Sequence, residues 1–310
     1  MAITRESIEG TAARIAPYIR HTPVIAVDSS DFGLTCRLIL KLEMLQRTGT
    51  FKFRGAINLM LESQNSVEPI VAASGGNFAF AVGQAAATLG RKAHLFVPAT
   101  SPAAKIDRVR ATKAEVTVIE GFYADALEAS RQHVANNGGL LAHAYDQIEV
   151  VEGAGTCGLE ILAQVPEVDT VLVPVGGGGL IAGIAAALQG DANVIAIETD
   201  QTPTLYASRT AGGIVDVEVG GVAVSSLGSK RLGDIAWQIT QRYVDDSILV
   251  SDDAVRQAQN ALWSIARLIV EPGGSVGMAS LLSGVYQPRK DETVVVVLSG
   301  ANVDPASVVN

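Results

Sequence analysis

A lysine flanked by two phenylalanines is the residue of this 310-residue chain with the clearest potential for chemistry. Lys52 lies between Phe51 and Phe53, before an apolar run whose spacing predicts a helix with Thr48 or Thr50 as its N-cap. Close to the positive end of a helix dipole and shielded from water by aromatic rings, its amine should be partly uncharged. An uncharged lysine attacks aldehydes, which is Schiff-base chemistry. A surface lysine whose stem covers the rings is the alternative.

Four consecutive glycines between a predicted apolar strand and a predicted helix form a second candidate site. The glycines and the next residue are Gly176, Gly177, Gly178, Gly179 and Leu180. Backbone N–H groups in such a loop, at the positive end of a helix, bind anions such as phosphate. Gly177, Gly179 and Ala182 also fit a GxGxxA dinucleotide pattern, with Glu198 placed for a ribose hydroxyl. The loop alone leaves a monophosphate, a dinucleotide and an ordinary tight turn open.

Two polar turns also follow predicted strands. Ser74, Gly75, Gly76 and Asn77 join a strand to a helix, so their N–H groups and the serine hydroxyl are suited to a carboxylate. The asparagine amide is suited to a phenolate or another oxygen. Ser74 and Asn77 are also common helix caps, which is the simpler interpretation. Ser299 follows the last predicted strand and is either a cap or a hydroxyl beneath a ligand.

The elements that position these residues alternate between short apolar strands and helices. Hydrophobic residues make up 48% of the chain, 31 residues are glycine and 5% are aromatic, which is typical of an α/β protein. The alternation predicts parallel sheet covered on both faces, with ligands at the carboxyl ends of strands. It divides the chain into a large discontinuous domain, 1–64 and 143–310, and a small βαβ domain, 65–142. We also expect Gly153 to Thr156 to open a helix, and a helix to follow Glu271 to Gly274.

Charge and composition disfavour several classes of function. The net charge is −9 and the basic residues are scattered, which argues against nucleic acid or an anionic membrane as partner. The longest apolar stretch contains Pro174 and the four glycines, so it is not predicted to span a membrane. Cys36 and Cys157 form neither a metal-ligand spacing nor a disulfide framework, and the N-terminus lacks a signal-peptide pattern, so we expect a cytoplasmic protein. Neither a metal site nor a hydrolase motif is predicted.

Six segments in this order resemble a known family. They are TFKFRGA, SGGN, GAGT, PVGGGGL, VEPGGSVG and LSGAN. Together they resemble the serine/threonine dehydratases of the fold-type II pyridoxal-phosphate enzymes, a group that includes serine racemase, from about Arg20 to Asn302. The resemblance implies a two-lobed α/β enzyme with two open, mostly parallel twisted sheets and pyridoxal 5′-phosphate in the cleft between the lobes. It also implies a small amino-acid substrate and a homodimer.

The resemblance assigns a role to each candidate residue. Lys52 would form the Schiff base with the cofactor and later remove the Cα proton. The other cofactor contacts would be Phe51 beside the ring, Asn77 at the phenolic oxygen, Gly176 to Leu180 at the phosphate and Ser299 at the pyridine nitrogen. The turn from Ser74 through Gly75 and Gly76 to Asn77 would hold the substrate carboxylate.

The motif strings favour dehydration within this family. FKFRGA and SGGN differ from the strings of cysteine synthases, which implies conversion of threonine and/or serine to a 2-oxo acid and ammonia. Serine racemases of the eukaryotic type carry a serine where this chain has Gly75, and that serine serves the opposite face of Cα, so racemisation is the alternative that Gly75 disfavours. An NAD-binding oxidoreductase or a nucleotide-binding module is the alternative from another class, and it leaves Lys52 and Ser299 without a role.

Three further expectations concern selectivity and control. Phe78 stands where the family often has histidine, so the preferred side chain of the substrate stays open. Some relatives hold a divalent cation through an acidic residue at the position of Glu198 and a second acid nearby, where this chain has Thr204; whether a monovalent or divalent cation binds therefore stays open. Because the chain ends soon after Asn302, we expect no appended regulatory domain.

Overall fold

The computed structural model describes residues 3–63 and 69–308. Its helices are α1 Arg5–Ile15, α2 Lys52–Glu62, α3 Asn77–Leu89, α4 Ala103–Arg110, α5 Tyr123–Asn137, α6 Ile148–Gln164, α7 Gly179–Leu188, α8 Thr204–Ala211, α9 Val224–Leu227, α10 Asp234–Tyr243, α11 Asp252–Ala266 and α12 Pro272–Leu282. Its strands are β1 Val24–Val27, β2 Arg37–Lys41, β3 Ile70–Ala73, β4 Ala93–Pro98, β5 Glu115–Ile119, β6 Leu140–Ala142, β7 Thr170–Pro174, β8 Asn193–Thr199, β9 Asp246–Val250 and β10 Thr293–Val297.

The strands form two open sheets. The larger has the order β1-β2-β10-β7-β8-β9 and the smaller the order β5-β4-β3-β6. Every neighbouring pair is parallel except β1 and β2, which are antiparallel. The predicted α/β class with two mostly parallel sheets is confirmed.

Buried central strands make the core of the larger sheet. β7 and β10 are buried at every position and consist almost entirely of valine, leucine and threonine, as expected for parallel strands covered on both faces. In register, Val294 of β10 pairs with both Leu38 and Thr170. The carboxyl ends of β2, β7 and β10 therefore meet at one edge of the sheet, where the parallel arrangement places ligands.

Two predicted helix starts were wrong for the same physical reason. The segment Gly153 to Thr156 lies in the middle of α6 rather than at its start. A Cβ on Gly155 would lie 2.9 Å from the carbonyl oxygen of Gly183, so the glycine serves close packing of α6 against α7. Likewise α12 begins at Pro272, and a Cβ on Gly274 would lie 2.9 Å from the Gly300 carbonyl oxygen. In both segments the glycines are needed because another part of the backbone packs closely against the helix, and they do not mark the start of the helix.

A buried cluster of charges anchors α2 to the rest of the molecule. The guanidinium of Arg54 contacts Glu43 at 2.7 and 2.9 Å and Glu160 at 2.7 and 2.9 Å. Lys41 on β2 donates to Glu160 at 2.6 Å. These side chains are at most 10% exposed, so removing one partner would leave an uncompensated buried charge. The cluster fixes the start of α2, where Lys52 lies.

The predicted domain division stays a prediction. Its first boundary, between residues 64 and 65, lies outside the described residues, and its second directly follows β6. Cys36 and Cys157 are both free and buried. Among the described helices, none combines the length and apolarity needed to cross a bilayer.

Candidate active site

One pocket brings together most of the residues that the sequence singled out. Its lining includes Phe51, Lys52, Asn77, Ser299 and the whole loop from Gly176 to Leu180. Sequence reasoning assigned no role to several other lining residues, namely Tyr145, Pro174, Ser226, Leu227 and Glu271. Ser74, Gly75 and Gly76 are outside this lining and form the turn that leads into Asn77 at the start of α3.

Lys52 is the first residue of α2, as predicted. The predicted cap was wrong, because the residue before the helix is Phe51, which makes no side-chain capping bond. The Lys52 N–H does donate to the hydroxyl of Thr50 at 3.3 Å, and Thr48 has a positive φ of 66°. The Lys52 Nζ lies 4.9 Å from the ring centroid of Phe51 and 5.9 Å from that of Phe78. The aromatic packing of the lysine is therefore confirmed, with Phe78 as the second ring in place of Phe53.

The environment of the Lys52 amine makes it a weak base. Burial lowers its pKa to about 8, while the carboxylate of Glu271 acts in the opposite direction. The amine donates to the carbonyl oxygen of Ala144 at 2.7 Å. The prediction of a partly uncharged lysine is confirmed, and the alternative of a surface lysine is wrong.

Glu271 fixes the amide of Asn77. The Asn77 Nδ2 lies 2.8 and 3.1 Å from the two oxygens of Glu271, and its Oδ1 accepts from Asn302 Nδ2 at 2.9 Å. Burial raises the pKa of the Glu271 carboxyl, against the hydrogen bond from Asn77 and the charges of Lys105 and Lys52. A Cβ on Gly300 would lie 2.2 Å from Glu271 Oε1, so the glycine makes room for this carboxylate. Glu271 thus orients Asn77 and balances the charge of Lys52.

The glycine loop presents free donors to the pocket. Within the described part of the chain, the N–H groups of Gly176, Gly177 and Gly178 have no protein acceptor. Gly178 has φ +91°, and α7 begins at the next residue. A Cβ on Gly177 would lie 2.3 Å from Cγ of Tyr145, so the absence of side chains lets that ring close over the loop. Free N–H groups at the positive end of a helix suit a phosphate-sized anion.

Glu198 does not support the dinucleotide alternative. It is fully buried and lies outside the pocket lining. Its carboxyl oxygens accept from the N–H groups of Leu205 at 2.9 Å and Tyr206 at 2.7 Å, and burial raises its pKa to about 7. A ribose hydroxyl cannot reach an acidic side chain that is buried and already hydrogen-bonded in this way. The GxGxxA interpretation is therefore wrong.

The SGGN turn is partly closed by its own contacts. Ser74 Oγ accepts from the N–H of Gly76 at 3.2 Å, so the serine stabilises its own turn, in keeping with the simpler interpretation. A Cβ on Gly75 would lie 2.2 Å from Ser101 Oγ, and one on Gly76 would lie 3.8 Å from Lys105 Nζ. The hydroxyl of Ser101, in the loop before α4, and the amine of Lys105, on α4, therefore flank the turn.

Comparisons with known proteins agree with this geometry. Residues 15–300 match the family model described as pyridoxal-phosphate dependent enzyme. The chain is 33% identical to a serine racemase of Oryza sativa subsp. indica, over 96% of this chain and 90% of that protein. It is 35% identical to a catabolic L-threonine dehydratase of Staphylococcus aureus, over 96% and 88%. The solved structure of maize serine racemase superposes with a TM-score of 0.93 at 32% identity, covering 99% of this chain and 96% of the other.

Proposed function

The chain belongs to the family of pyridoxal-phosphate-dependent enzymes, and from that premise we propose that it is a lyase of the serine/threonine ammonia-lyase type. It converts a β-hydroxy-L-amino acid, threonine and/or serine, to a 2-oxo acid and ammonia. The observation that carries the proposal is the position and the lowered pKa of the Lys52 amine. This buried amine, with a pKa of about 8, lines the same pocket as a loop with free N–H groups.

The residues of the pocket fit the cofactor. When bound, pyridoxal phosphate supplies a conjugated ring that withdraws electrons from the Cα of an attached amino acid. Gly176 to Leu180 would hold its phosphate through their free N–H groups, and Phe51 would pack beside its ring. Asn77, oriented by Glu271, would face the phenolic oxygen, and the Ser299 hydroxyl the ring nitrogen.

Lys52 moves the proton in this proposal. An amine with a pKa near the working pH can exist without its proton and accept one from Cα. Glu271 keeps the site close to electrical balance once the amine has taken up that proton. The turn from Ser74 to Asn77 would hold the substrate carboxylate, because it lies at the positive end of α3. The N–H groups of Ser74 and Gly76 already have protein acceptors, so the contact would come from the remaining polar groups of the turn.

Gly75 favours dehydration over racemisation. Inversion at Cα requires a proton donor on the face opposite the base, and glycine has no side chain to supply one. Racemisation remains the second candidate, since one relative is a serine racemase and Ser101 Oγ occupies the space beside Gly75.

The family also supports a homodimer, which analytical ultracentrifugation would test.

Product and chiral analysis of one reaction separates the two candidates. The holoprotein is incubated with L-threonine or L-serine, and 2-oxo acid, ammonia and the chirality of recovered substrate are measured. We expect 2-oxo acid and ammonia in equal amounts, L-substrate of unchanged chirality, and no turnover by Lys52→Ala. If D-serine forms faster than the 2-oxo acid, and if Ser101→Ala no longer forms D-serine, the proposed activity is racemisation and not dehydration. Absence of both products from every β-hydroxy amino acid tried would end the proposal.

A further inference from the structure

A buried carboxyl group lies directly behind the glycine loop. Glu198 is on β8, which pairs with the strand that leads into the loop, and its relative exposure is 0%. Its oxygens accept from the N–H groups of Leu205 and Tyr206 at 2.9 and 2.7 Å and from Ser247 Oγ at 3.3 Å. Both N–H groups belong to the first turn of α8. The carboxyl group is thus satisfied by protein donors.

These donors leave no place for a divalent cation at Glu198. Backbone N–H groups have no lone pair to offer a metal, and the positive end of a helix repels a cation. Mg²⁺ and Ca²⁺ require six or more oxygen ligands, of which at least one is usually a carboxylate with free lone pairs. In residues 3–63 and 69–308, no group of three His, Cys, Asp or Glu side chains is arranged to hold a metal. The nearest side chain, Thr204, is neutral.

Thr204 connects this carboxyl group to the loop. Its hydroxyl lies 3.0 Å from Glu198 Oε1 and 2.5 Å from the carbonyl oxygen of Gly176, so its proton is shared between the two. The peptide group is planar, so fixing the Gly176 carbonyl also fixes the direction of the Gly177 N–H on the other side of the same plane. That N–H is one of the free donors of the loop.

We propose that the first turn of α8, with Thr204, takes the place of a cation in this chain. The N–H groups of the helix satisfy Glu198, and the Thr204 hydroxyl holds the Gly176 carbonyl so that the loop donates to the cofactor phosphate. Thr204 is a positioning residue for cofactor binding. This inference concerns cofactor affinity rather than the reaction, so it can be tested whether or not the dehydration proposal holds.

The first test removes divalent cations from the holoprotein. After dialysis against EDTA, retained pyridoxal phosphate is measured by absorbance, and the melting temperature is measured with and without added Mg²⁺, Ca²⁺ or Mn²⁺. We expect full cofactor retention and no shift in melting temperature with any of the three. Loss of cofactor on EDTA treatment that Mg²⁺, Ca²⁺ or Mn²⁺ reverses would overturn the proposal.

The second test removes the hydroxyl of Thr204 alone. Thr204→Val should weaken pyridoxal phosphate binding about tenfold, because one hydrogen bond is lost and the partly buried Gly176 carbonyl loses the donor that orients it. Binding of pyridoxal, which lacks the phosphate, should not change, and Thr204→Ser should restore the affinity. Thr202→Val is the matched control, since the buried Thr202 hydroxyl is hydrogen-bonded to Thr199 Oγ1 at 2.9 Å and not to the glycine loop.

Two outcomes of the second test would contradict the role of Thr204. One is unchanged affinity of Thr204→Val for pyridoxal phosphate. The other is an equal loss for pyridoxal or for Thr202→Val, which would indicate a general disturbance of the fold. If circular dichroism shows that Thr204→Val does not fold, Thr204→Ala is measured in its place against the same serine variant. A ³¹P spectrum of the bound phosphate that changes only in the variants without the hydroxyl would be the direct signature.

Discussion

Glu271→Gln should lower the pKa of Lys52 and extend the reactivity of its amine to lower pH. Burial lowers the pKa of the lysine to about 8, and Glu271 is the charge that opposes this shift. The amide has nearly the same size as the carboxyl group and retains an oxygen that can accept from Asn77 Nδ2. The substitution therefore removes the charge and leaves the packing around it.

The expected magnitude follows from the titration of a single amine. With a pKa of about 8, about one Lys52 amine in ten is uncharged at pH 7, whereas the ordinary value of 10.5 would leave about one in three thousand. The native site therefore gains roughly 300-fold in reactive amine. A loss of one pKa unit in Glu271→Gln would raise the uncharged fraction at pH 7 to about one half, and a shift of about one unit or more is usual for a neighbouring charge.

The assay follows the reaction of protein stripped of cofactor with pyridoxal phosphate. The rate at which the visible absorption band appears is measured against pH, and borohydride reduction with peptide mass analysis confirms attachment at Lys52. Glu62→Gln is the matched control, because Glu62 is at the other end of α2 and pairs with Arg14 while 42% exposed. A native midpoint near the pKa of free lysine would refute the reasoning. An upward or absent shift of the midpoint in Glu271→Gln, or an equal downward shift in the Glu62→Gln control, would refute it as well.

Three other predictions test the anchor, the loop and the core. Arg54→Met should lower the free energy of unfolding, measured in urea, by about 3–5 kcal/mol, because it leaves two buried carboxylates without their cation. The exposed Arg110→Met is the control and should change the free energy of unfolding by less than about 0.5 kcal/mol. A loss below about 1 kcal/mol for Arg54→Met would contradict this prediction. Gly177→Ala should weaken cofactor retention on dialysis, because its Cβ would lie 2.3 Å from the Tyr145 ring, and unchanged retention would show that the ring yields freely. Burial raises the pKa of Cys157, so its thiol should react with a disulfide reagent only after denaturation, and rapid labelling of the native protein would be inconsistent with that burial.

The features that the sequence predicted well are those decided by near neighbours in the chain. Lys52 directly precedes an apolar run with helical spacing, so the start of α2 is encoded locally even though Phe51, and not a threonine, is its N-cap. The strand β7 and the glycine loop are also adjacent in sequence, and an apolar run into four glycines permits few other structures. Their meeting in one pocket follows from the parallel sheet, whose strands end at the same edge.

The features that it missed depend on contacts between distant segments. Glu271 lies almost 200 positions from Asn77, which it orients, so its role depends on a contact between distant segments. The acidic residue directly before Pro272 in a glycine-rich segment was the available signal. Gly155 was misread because a glycine that opens a helix and one that admits a neighbouring helix look the same until Gly183 is placed beside it.

The buried guanidinium of Arg54 lies only two residues from Lys52, yet it does not control the protonation of the lysine, because its charge is neutralised by neighbouring carboxylates. Arg54 belongs to a cluster of two cations and two carboxylates, and the causes of the pKa shift of Lys52 are burial and Glu271, not this guanidinium. The cluster can therefore anchor α2 rigidly while remaining nearly neutral as seen from the pocket. Removing only the guanidinium would leave an excess negative charge beside the lysine, which favours its charged form. The anchoring of the helix and the pKa of its first residue thus depend on different charges: the cluster anchors α2, while burial lowers the pKa of Lys52 and Glu271 is the carboxylate that opposes this shift.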